Sequence, residues 1–171
     1  MDSVGPYRIT VVCLGNICRS PIGEAVLRSR IADAGLADRV LVDSAGTGDW
    51  HLGGPADPRA LATLDGAGYP LDHVARQINP QWFERVDLVL AMDEANYADL
   101  RRMMARDTTG TELRMMRSFD PALAHLAEPH PALSVPDPYY GGPEGFVEVL
   151  HMIEKAADGL VDGLLDGGLD R

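Results

Sequence analysis

The 171-residue sequence predicts an α/β protein in which helices cover both faces of a central four-stranded parallel sheet. Short runs rich in β-branched residues alternate with longer amphipathic segments, as in parallel sheets. Helix start and stop signals separate these segments, and no internal repeat or low-complexity tract interrupts them. At this length we expect one domain over residues 1–171, with flexible ends at 1–6 and 166–171.

The first strand and the first helix are the best marked elements. Residues 7–13 alternate in the manner of a half-buried strand. Ser20 as N-cap and Pro21 at the first helical position predict a helix over residues 20–34, which Gly35 ends. A tight loop joins the two elements, because Gly15 and Asn16 tolerate a positive φ.

Three further strands and three further helices follow. The strands are predicted at residues 40–44, 86–91 and 113–116. The helices are predicted to begin at Asp57-Pro58, at Asp93 and at Pro143, the last running to Leu165. The proline-rich residues 118–142 predict a long, functional loop. This order is typical of the doubly wound, flavodoxin-like class, in which ligands bind beyond the carboxyl ends of the strands.

The loop after the first strand carries a Cys-x5-Arg-Ser motif that begins at Cys13. A loop between a strand end and a helix start turns backbone N–H groups inward and forms an anion-binding site. The expected donors are Leu14, Gly15, Asn16, Ile17 and Cys18. Arg19 adds a guanidinium that fits two phosphate oxygens. Such a positive cup favours the nucleophilic thiolate of Cys13, so the motif predicts phosphoryl transfer through a phosphocysteine.

Composition limits the partners and the location. A net charge of −11 argues against nucleic acid or an anionic membrane surface as a partner. No apolar run reaches membrane-span length and the first residues lack a signal-peptide pattern, so we expect a cytoplasmic protein, with non-classical secretion left open. The two cysteines, Cys13 and Cys18, share one loop and favour a reducing compartment. Scattered histidines predict no metal site, and nothing predicts a cofactor.

Two motifs together resemble the low-molecular-weight protein tyrosine phosphatases, bacterial type. They are Cys13-Leu14-Gly15-Asn16-Ile17-Cys18-Arg19-Ser20-Pro21 and Asp137-Pro138-Tyr139-Tyr140, and the similarity extends over about residues 7–165. The resemblance implies hydrolysis of a phosphotyrosine-containing protein or peptide. Cys13 would be the nucleophile, Arg19 and the loop amides would bind the phosphoryl group, and Asp137 would be the general acid and base. Inorganic phosphate and other oxyanions would bind the same loop.

The resemblance also implies roles for neighbouring side chains. Ser20 would donate a hydrogen bond to the Cys13 sulfur, in addition to capping the helix. Asn16, Ser44 and His73 would form a buried network that supports the loop. Trp50, Tyr139 and Tyr140 would wall a deep slot for a phenyl phosphate. Ile17 favours tyrosine phosphatases, because related bacterial arginine phosphatases tend to have threonine there. The segment from Asp120 to Asp137 is longer and richer in proline than the family pattern.

Two other functions compete with this interpretation. A thiol-coupled arsenate reductase would use the same oxyanion cup, but it needs further cysteines downstream, and the sequence has none after Cys18. A phosphotyrosine-binding module with a decayed site would have lost Cys13, Arg19 or Asp137, and all three are present. Cys18 itself is either a partner for a protective disulfide with Cys13 or a small buried thiol.

Overall fold

Four parallel strands form the sheet on which the rest of the chain packs. The computed structural model describes residues 5–106 and 109–168. The strands are β1 (Tyr7–Cys13), β2 (Val40–Gly46), β3 (Leu88–Ala91) and β4 (Glu112–Met115). They lie in the order β2-β1-β3-β4, and each neighbouring pair is parallel. The predicted fold class is therefore confirmed, and β2 and β4 are the edge strands.

Helices cover both faces of the sheet. They are α1 (Arg19–Asp33), α2 (Pro58–Gly66), α3 (Glu94–Met103) and α4 (Pro143–Gly163). One face packs against α1, α2 and α4 through a core that includes Ile22, Leu64 and Phe146. The other face packs against α3 and the 3₁₀ helix Pro80–Arg85, through a second core that includes Phe83 and Leu100. No helix within residues 5–106 and 109–168 has the length and apolar character that crossing a membrane requires.

The segment between β4 and α4 is held by short 3₁₀ turns. These turns are Met116–Phe119, Pro121–Leu123 and Pro131–Leu133. Leu133 and Val135 are fully buried, so the predicted long loop is anchored to the core near its end. The predicted frayed ends fall largely on residues 1–4 and 169–171, which lie outside the described residues.

The predicted cap of the first helix is wrong. The N-cap of α1 is Cys18, without a side-chain cap hydrogen bond, and the helix begins at Arg19. Ser20 therefore lies inside the first turn, and its hydroxyl turns toward the loop instead of capping the helix. Of the two loop residues that tolerate a positive φ, Asn16 adopts one, at +56°, and Gly15 does not. The side chain of Asn16 stabilises this conformation, as described below.

Candidate active site

A cavity of about 460 Å³ opens at the carboxyl end of β1, where the fold class places ligands. Its lining includes Cys13, Leu14, Gly15, Ile17, Cys18, Arg19, Trp50, His51, Asp137, Tyr139 and Tyr140. Both sequence motifs thus meet in one cavity, although they lie far apart in the chain. The other predicted site residues, Asn16, Ser20, Ser44 and His73, are not among the lining residues and form the support described next.

Backbone hydrogen bonds fix the direction of the loop peptides. The C=O groups of Cys13 and Leu14 accept from the N–H groups of Thr47 and Gly48, at 3.0 and 2.9 Å. The C=O of Ile17 accepts from the N–H of Asp57 at 2.8 Å. In a trans peptide the next N–H points opposite to the C=O. Because these carbonyls are held by the surrounding loops, the following amides are directed toward the inside of the turn.

Asn16 is the centre of the network that supports the loop. Its Nδ2 donates to Ser20 Oγ at 2.8 Å and to Ser44 Oγ at 3.0 Å. Its Oδ1 accepts from the backbone N–H of Arg76 at 2.9 Å. His73 Nε2 donates to the Asn16 C=O at 2.7 Å. These contacts hold a non-glycine residue at positive φ, a conformation that costs free energy unless its surroundings fix it.

A buried carboxylate, which the sequence analysis missed, completes this network. Glu24 in α1 is 3% exposed, and its Oε1 accepts from Ser44 Oγ at 2.6 Å. Its Oε2 pairs with Arg28 at 2.9 Å, which offsets the charge. The signal in the sequence was a glutamate inside the apolar stretch that begins at Ile22. A charged residue on a buried helix face requires partners, and here they belong to the loop support.

Cys13 lies at the bottom of the cavity and is 2% exposed. Its Sγ is 3.0 Å from Ser20 Oγ. Ser20 Oγ also receives the hydrogen bond from Asn16 Nδ2, so its own proton is left for the sulfur or for the Ala45 C=O at 3.4 Å. The arrangement allows the Ser20 hydroxyl to donate to a thiolate at Cys13.

Arg19 is held in the cavity by two groups. Its Nη1 donates to Asp93 Oδ2 at 2.6 Å and to the Val135 C=O at 3.0 Å, and its side chain is 3% exposed. Burial opposes the charge, but the Cys13 sulfur and Asp93 outweigh it and raise the pKa of Arg19. The sequence analysis assigned Asp93 only as the cap of α3, which it also is. Its position just beyond the carboxyl end of β3 could have indicated a place in the site.

Asp137 reaches the same cavity from the segment before α4. Its Oδ2 lies 3.7 Å from Arg19 Nη2, and its Oδ1 accepts from the N–H of Tyr139 at 3.1 Å. Val135 fixes the approach of this segment, because its N–H donates to the Met92 C=O at 2.7 Å while its C=O receives Arg19. A carboxyl group therefore lies at the rim, opposite the loop that carries Cys13.

Aromatic side chains surround the opening. Trp50 is 70% exposed and Tyr140 is 91% exposed. Tyr139 packs edge-on against Tyr140, with ring centroids 4.9 Å apart, and its ring lies 6.4 Å from that of His51. His51 was not predicted as a site residue, and only its place beside Trp50 could have indicated it. A rim of exposed rings suits a flat aromatic group that enters with its polar end first.

Arg59 connects the rim to the loop. Asp57, which binds the Ile17 C=O through its N–H, pairs with Arg59 Nη2 at 2.9 Å. Arg59 Nη1 donates to the Gly141 C=O at 3.3 Å, and its guanidinium lies 5.4 Å from the Tyr139 ring centroid. The hydrogen bonds from Arg59 lower the pKa of Asp57. The start of α2 therefore connects the segment after Asp137 to the loop of Cys13. The sequence analysis assigned Asp57 only as a helix cap and did not predict this role.

Cys18 differs sharply from Cys13 in its surroundings. Burial, followed by the negative charge of Asp57, raises the pKa of the Cys18 thiol to about 12. The side chain therefore stays protonated at neutral pH, although it lines the same cavity. In the described part of the chain, no group of three or more His, Cys, Asp or Glu side chains is arranged to hold a metal ion.

Comparison with known proteins identifies the family of this chain. The family model for low molecular weight phosphotyrosine protein phosphatase matches residues 8–167. The chain belongs to this family. A low molecular weight protein-tyrosine-phosphatase of Streptomyces coelicolor is 52% identical over 155 residues, covering 91% of this chain and 92% of that protein. As a member of this phosphatase family, the chain is a hydrolase of phosphoric monoesters.

Solved structures share the fold over nearly the whole chain. A protein tyrosine phosphatase from Entamoeba histolytica, with Hepes in its active site, aligns with a TM-score of 0.82 at 34% identity, covering 95% of this chain and 99% of that one. A Drosophila arginine phosphatase aligns with a TM-score of 0.82 at 28% identity, covering 91% and 96%. The fold therefore accommodates both substrate types, and specificity depends on the side chains of the site.

Proposed function

We propose that this phosphatase hydrolyses phosphotyrosine in proteins or peptides through a phosphocysteine on Cys13. One observation carries the proposal: the sulfur of Cys13, the guanidinium of Arg19 and the carboxyl of Asp137 line a single cavity with an aromatic rim. The sulfur lies deep in the cavity and the carboxyl lies near its opening. A phosphate at the end of a phenyl ring can reach the sulfur from the rim. A phosphoserine side chain is shorter, so its protein backbone would meet the rim before the phosphate reached the sulfur.

In the first step the Cys13 thiolate attacks phosphorus and the bond to the tyrosine oxygen breaks. The loop amides and Arg19 bind the equatorial oxygens, on which negative charge is spread in the transition state. The Asp137 carboxyl gives its proton to the departing oxygen, so tyrosine leaves as the neutral phenol. The products are tyrosine, phosphocysteine and an Asp137 carboxylate.

In the second step water attacks the phosphocysteine. The Asp137 carboxylate takes a proton from the water, the sulfur–phosphorus bond breaks, and inorganic phosphate is released with the thiolate restored. The Ser20 hydroxyl, 3.0 Å from the sulfur, donates to the leaving thiolate and favours this cleavage. Asn16, Ser44 and His73 hold the loop in the conformation that both steps need.

Substitution of the nucleophile tests the covalent route. We expect Cys13→Ser to abolish phosphate release from p-nitrophenyl phosphate while phosphate or vanadate still binds the loop. Rapid acid quench of the unchanged enzyme with labelled substrate should trap labelled protein, and the Cys13→Ser variant should trap none. Turnover by Cys13→Ser at the original rate would overturn the proposal. Absence of phosphate release from the unchanged protein would instead favour the binding module with a decayed site.

The leaving group tests the role of Asp137. Protonation matters most when the departing oxygen is basic, so we expect Asp137→Ala to slow phenyl phosphate by about 10²-fold or more. Aryl phosphates with weakly basic leaving groups should be slowed much less. The measurement is the dependence of kcat on the leaving-group pKa. Equal slowing across the series would mean that another residue supplies the proton.

The substrate class follows from the cavity and from Ile17, which is 8% exposed and lines it. We propose phosphotyrosine rather than phosphoarginine, and a direct comparison of two peptides that differ only in the phosphorylated residue decides between them. Faster release from the phosphoarginine peptide would reverse the assignment. Arsenate reduction coupled to thioredoxin would instead support the reductase. We further propose a cytoplasmic location. We also propose a redox response through Cys18.

A further inference from the structure

A second cavity lies at the amino end of the sheet, away from the candidate active site. It measures about 610 Å³ and crosses the outer edge of β2. Four arginines line it: Arg8, Arg28, Arg76 and Arg85. None of its lining residues lines the cavity of Cys13. We call this second cavity the arginine groove.

The arginine groove is a positive site on a negative molecule. It gathers four of the 15 basic residues of a chain whose net charge is −11. Asp43 lies in the groove, with its Oδ2 3.8 Å from Arg76, and the buried Glu24 pairs with Arg28. The Asp87 carboxylate accepts the backbone N–H of Arg8. Within residues 5–106 and 109–168, no carboxylate forms an ion pair with the exposed side chains of Arg8 and Arg85, so in this part of the chain both guanidinium groups are available to an anion.

The floor of the groove is apolar. Ile9, Ile31 and Val40 contribute to it and are nearly fully buried, while Leu41 is 40% exposed at its margin. Trp82 lines the groove as well, with the Arg76 guanidinium 5.1 Å from its ring centroid. A cavity of this volume, with apolar walls and a few convergent charged groups, has the character of small-molecule sites.

A peptide strand is a poor occupant at this edge. Arg28 Nε donates to the Val42 C=O at 3.0 Å, and Arg76 Nη2 donates to the Ser44 C=O at 3.0 Å. These two side chains occupy carbonyls of the edge strand β2 that an added strand would need. The charge therefore favours an anion, and the blocked edge favours a compact ligand over an extended chain.

We propose that the arginine groove binds a small organic polyanion. Such a ligand carries two or more phosphate or carboxylate groups on an apolar or ring frame. Its charged groups pair with Arg8 and Arg85, whose planar guanidinium groups match the oxygens of either anion. Its frame lies on the apolar floor beside Trp82.

Arg76 links the groove to the loop of the candidate active site. Its backbone N–H donates to Asn16 Oδ1, and its guanidinium donates to the Ser44 C=O. Substitution of Arg76 would therefore disturb the Cys13 loop as well as the groove. Arg8 and Arg85 make no such contact and are exposed, so they are the residues to change.

Tryptophan fluorescence provides a readout at the groove. The chain has two tryptophans, Trp50 at the cavity of Cys13 and Trp82 in the groove, so Trp50→Phe leaves Trp82 as the single reporter. We expect saturable fluorescence changes on titration with benzene-1,3-diphosphonate and with benzene-1,3,5-tricarboxylate at constant ionic strength. The two probes distinguish phosphate from carboxylate ligands. Isothermal titration calorimetry on the same variant detects binding that leaves the fluorescence unchanged.

Paired charge variants decide whether the groove is the site. In the Trp50→Phe background, Arg8→Gln with Arg85→Gln should weaken binding by about tenfold or more, since hydrogen-bonded charge contacts are lost. Arg101→Gln with Arg106→Gln removes the same charge at exposed positions outside the groove and should leave binding unchanged. Equal weakening in both pairs, or no saturable binding of either probe, would overturn the proposal. So would complete competition by phenylphosphonate, which would place the probes in the cavity of Cys13.

Discussion

The two cysteines of the first loop show how strongly surroundings decide what a residue can do. Cys13 lies next to Ser20 Oγ, and its sulfur interacts with the positive charge of Arg19. Cys18 is buried beside the negative Asp57, and its pKa rises to about 12. A thiol with so high a pKa is a poor nucleophile at neutral pH. We propose that Cys18 acts instead as a partner for an oxidised Cys13.

The redox prediction therefore depends on pH. Peroxide converts the Cys13 thiolate to a sulfenic acid, and attack by Cys18 then closes the disulfide and releases water. Because the folded pKa of Cys18 is raised, its thiolate fraction grows by about tenfold per pH unit through the neutral range. We expect the yield of the Cys13–Cys18 bridge, relative to sulfinic acid at Cys13, to rise between about pH 6 and pH 9.

Mass spectrometry of peptides after peroxide treatment measures both products. The Cys18→Ser variant is the control, since it can form only sulfinic or sulfonic acid at Cys13. If the unchanged protein also gives only these acids at every pH, then Cys18 is a buried thiol without a redox role.

Single residues also show where sequence analysis reached its limit. The Cys-x5-Arg motif was enough to predict the nucleophile loop, because motif and context coincide at one place in the chain. Glu24 and Asp93 were missed because their partners, Ser44 and Arg19, come from other elements. Ser20 was assigned to the helix cap because sequence alone does not indicate which hydrogen bond a hydroxyl will choose.

At the scale of elements, the end of β2 supports the loop after β1. A Cβ atom placed on Gly46 would lie 2.7 Å from the Leu14 carbonyl oxygen and 3.1 Å from the Asn16 nitrogen. Both are backbone atoms of the loop, so they cannot move aside without shifting its amides. The absence of a side chain at Gly46 thus allows β2 and the loop to pack closely.

We therefore predict that Gly46→Ala lowers kcat/KM for p-nitrophenyl phosphate by about 10²-fold, since a small displacement of positioning groups costs this much. Circular dichroism should show an unchanged fold. The matched control is Gly66→Ala at the end of α2, where an added Cβ meets no atom within 4 Å. Full activity in Gly46→Ala would show that the loop tolerates the shift.

Element boundaries were predicted where local signals exist and missed where they do not. Asp57 and Asp93 cap α2 and α3 as expected, because each side chain accepts from a backbone N–H inside the first turn. The strand predicted from Val86 begins at Leu88, with Val86 and Asp87 between it and the 3₁₀ helix Pro80–Arg85. The 3₁₀ turns between β4 and α4 are too short to show a periodic pattern, although Asp120 and His130 cap two of them and a proline follows each cap.

At the scale of the whole molecule, the net charge is negative, whereas the proposed anion site is positively charged. The chain carries a net charge of −11, whereas the anion site that we propose consists of one arginine and backbone amides. We therefore expect no long-range attraction of a phosphorylated substrate, and we expect binding to rely on contacts within the cavity. Such contacts are less exposed to dissolved ions than surface charges are.

This balance predicts an unusual salt effect. For an acidic phosphotyrosine peptide, we expect kcat/KM to rise as potassium chloride increases from about 10 to about 100 mM, because screening weakens the overall repulsion. A lysine-rich phosphotyrosine peptide is the control and should show a fall over the same range. A decrease for the acidic peptide would indicate that local positive charge dominates the approach of substrate.

The fixed position of Val135 has a consequence for the evolution of this protein. Just before the proposed acid, the N–H of Val135 donates to the Met92 C=O and its C=O accepts from Arg19. Because these two hydrogen bonds fix Val135, residues before it can be gained or lost without moving the carboxyl group of Asp137. Substitutions at the exposed positions of this proline-rich segment can therefore accumulate without displacing the carboxyl group, whereas its buried anchor Leu133 has to be kept.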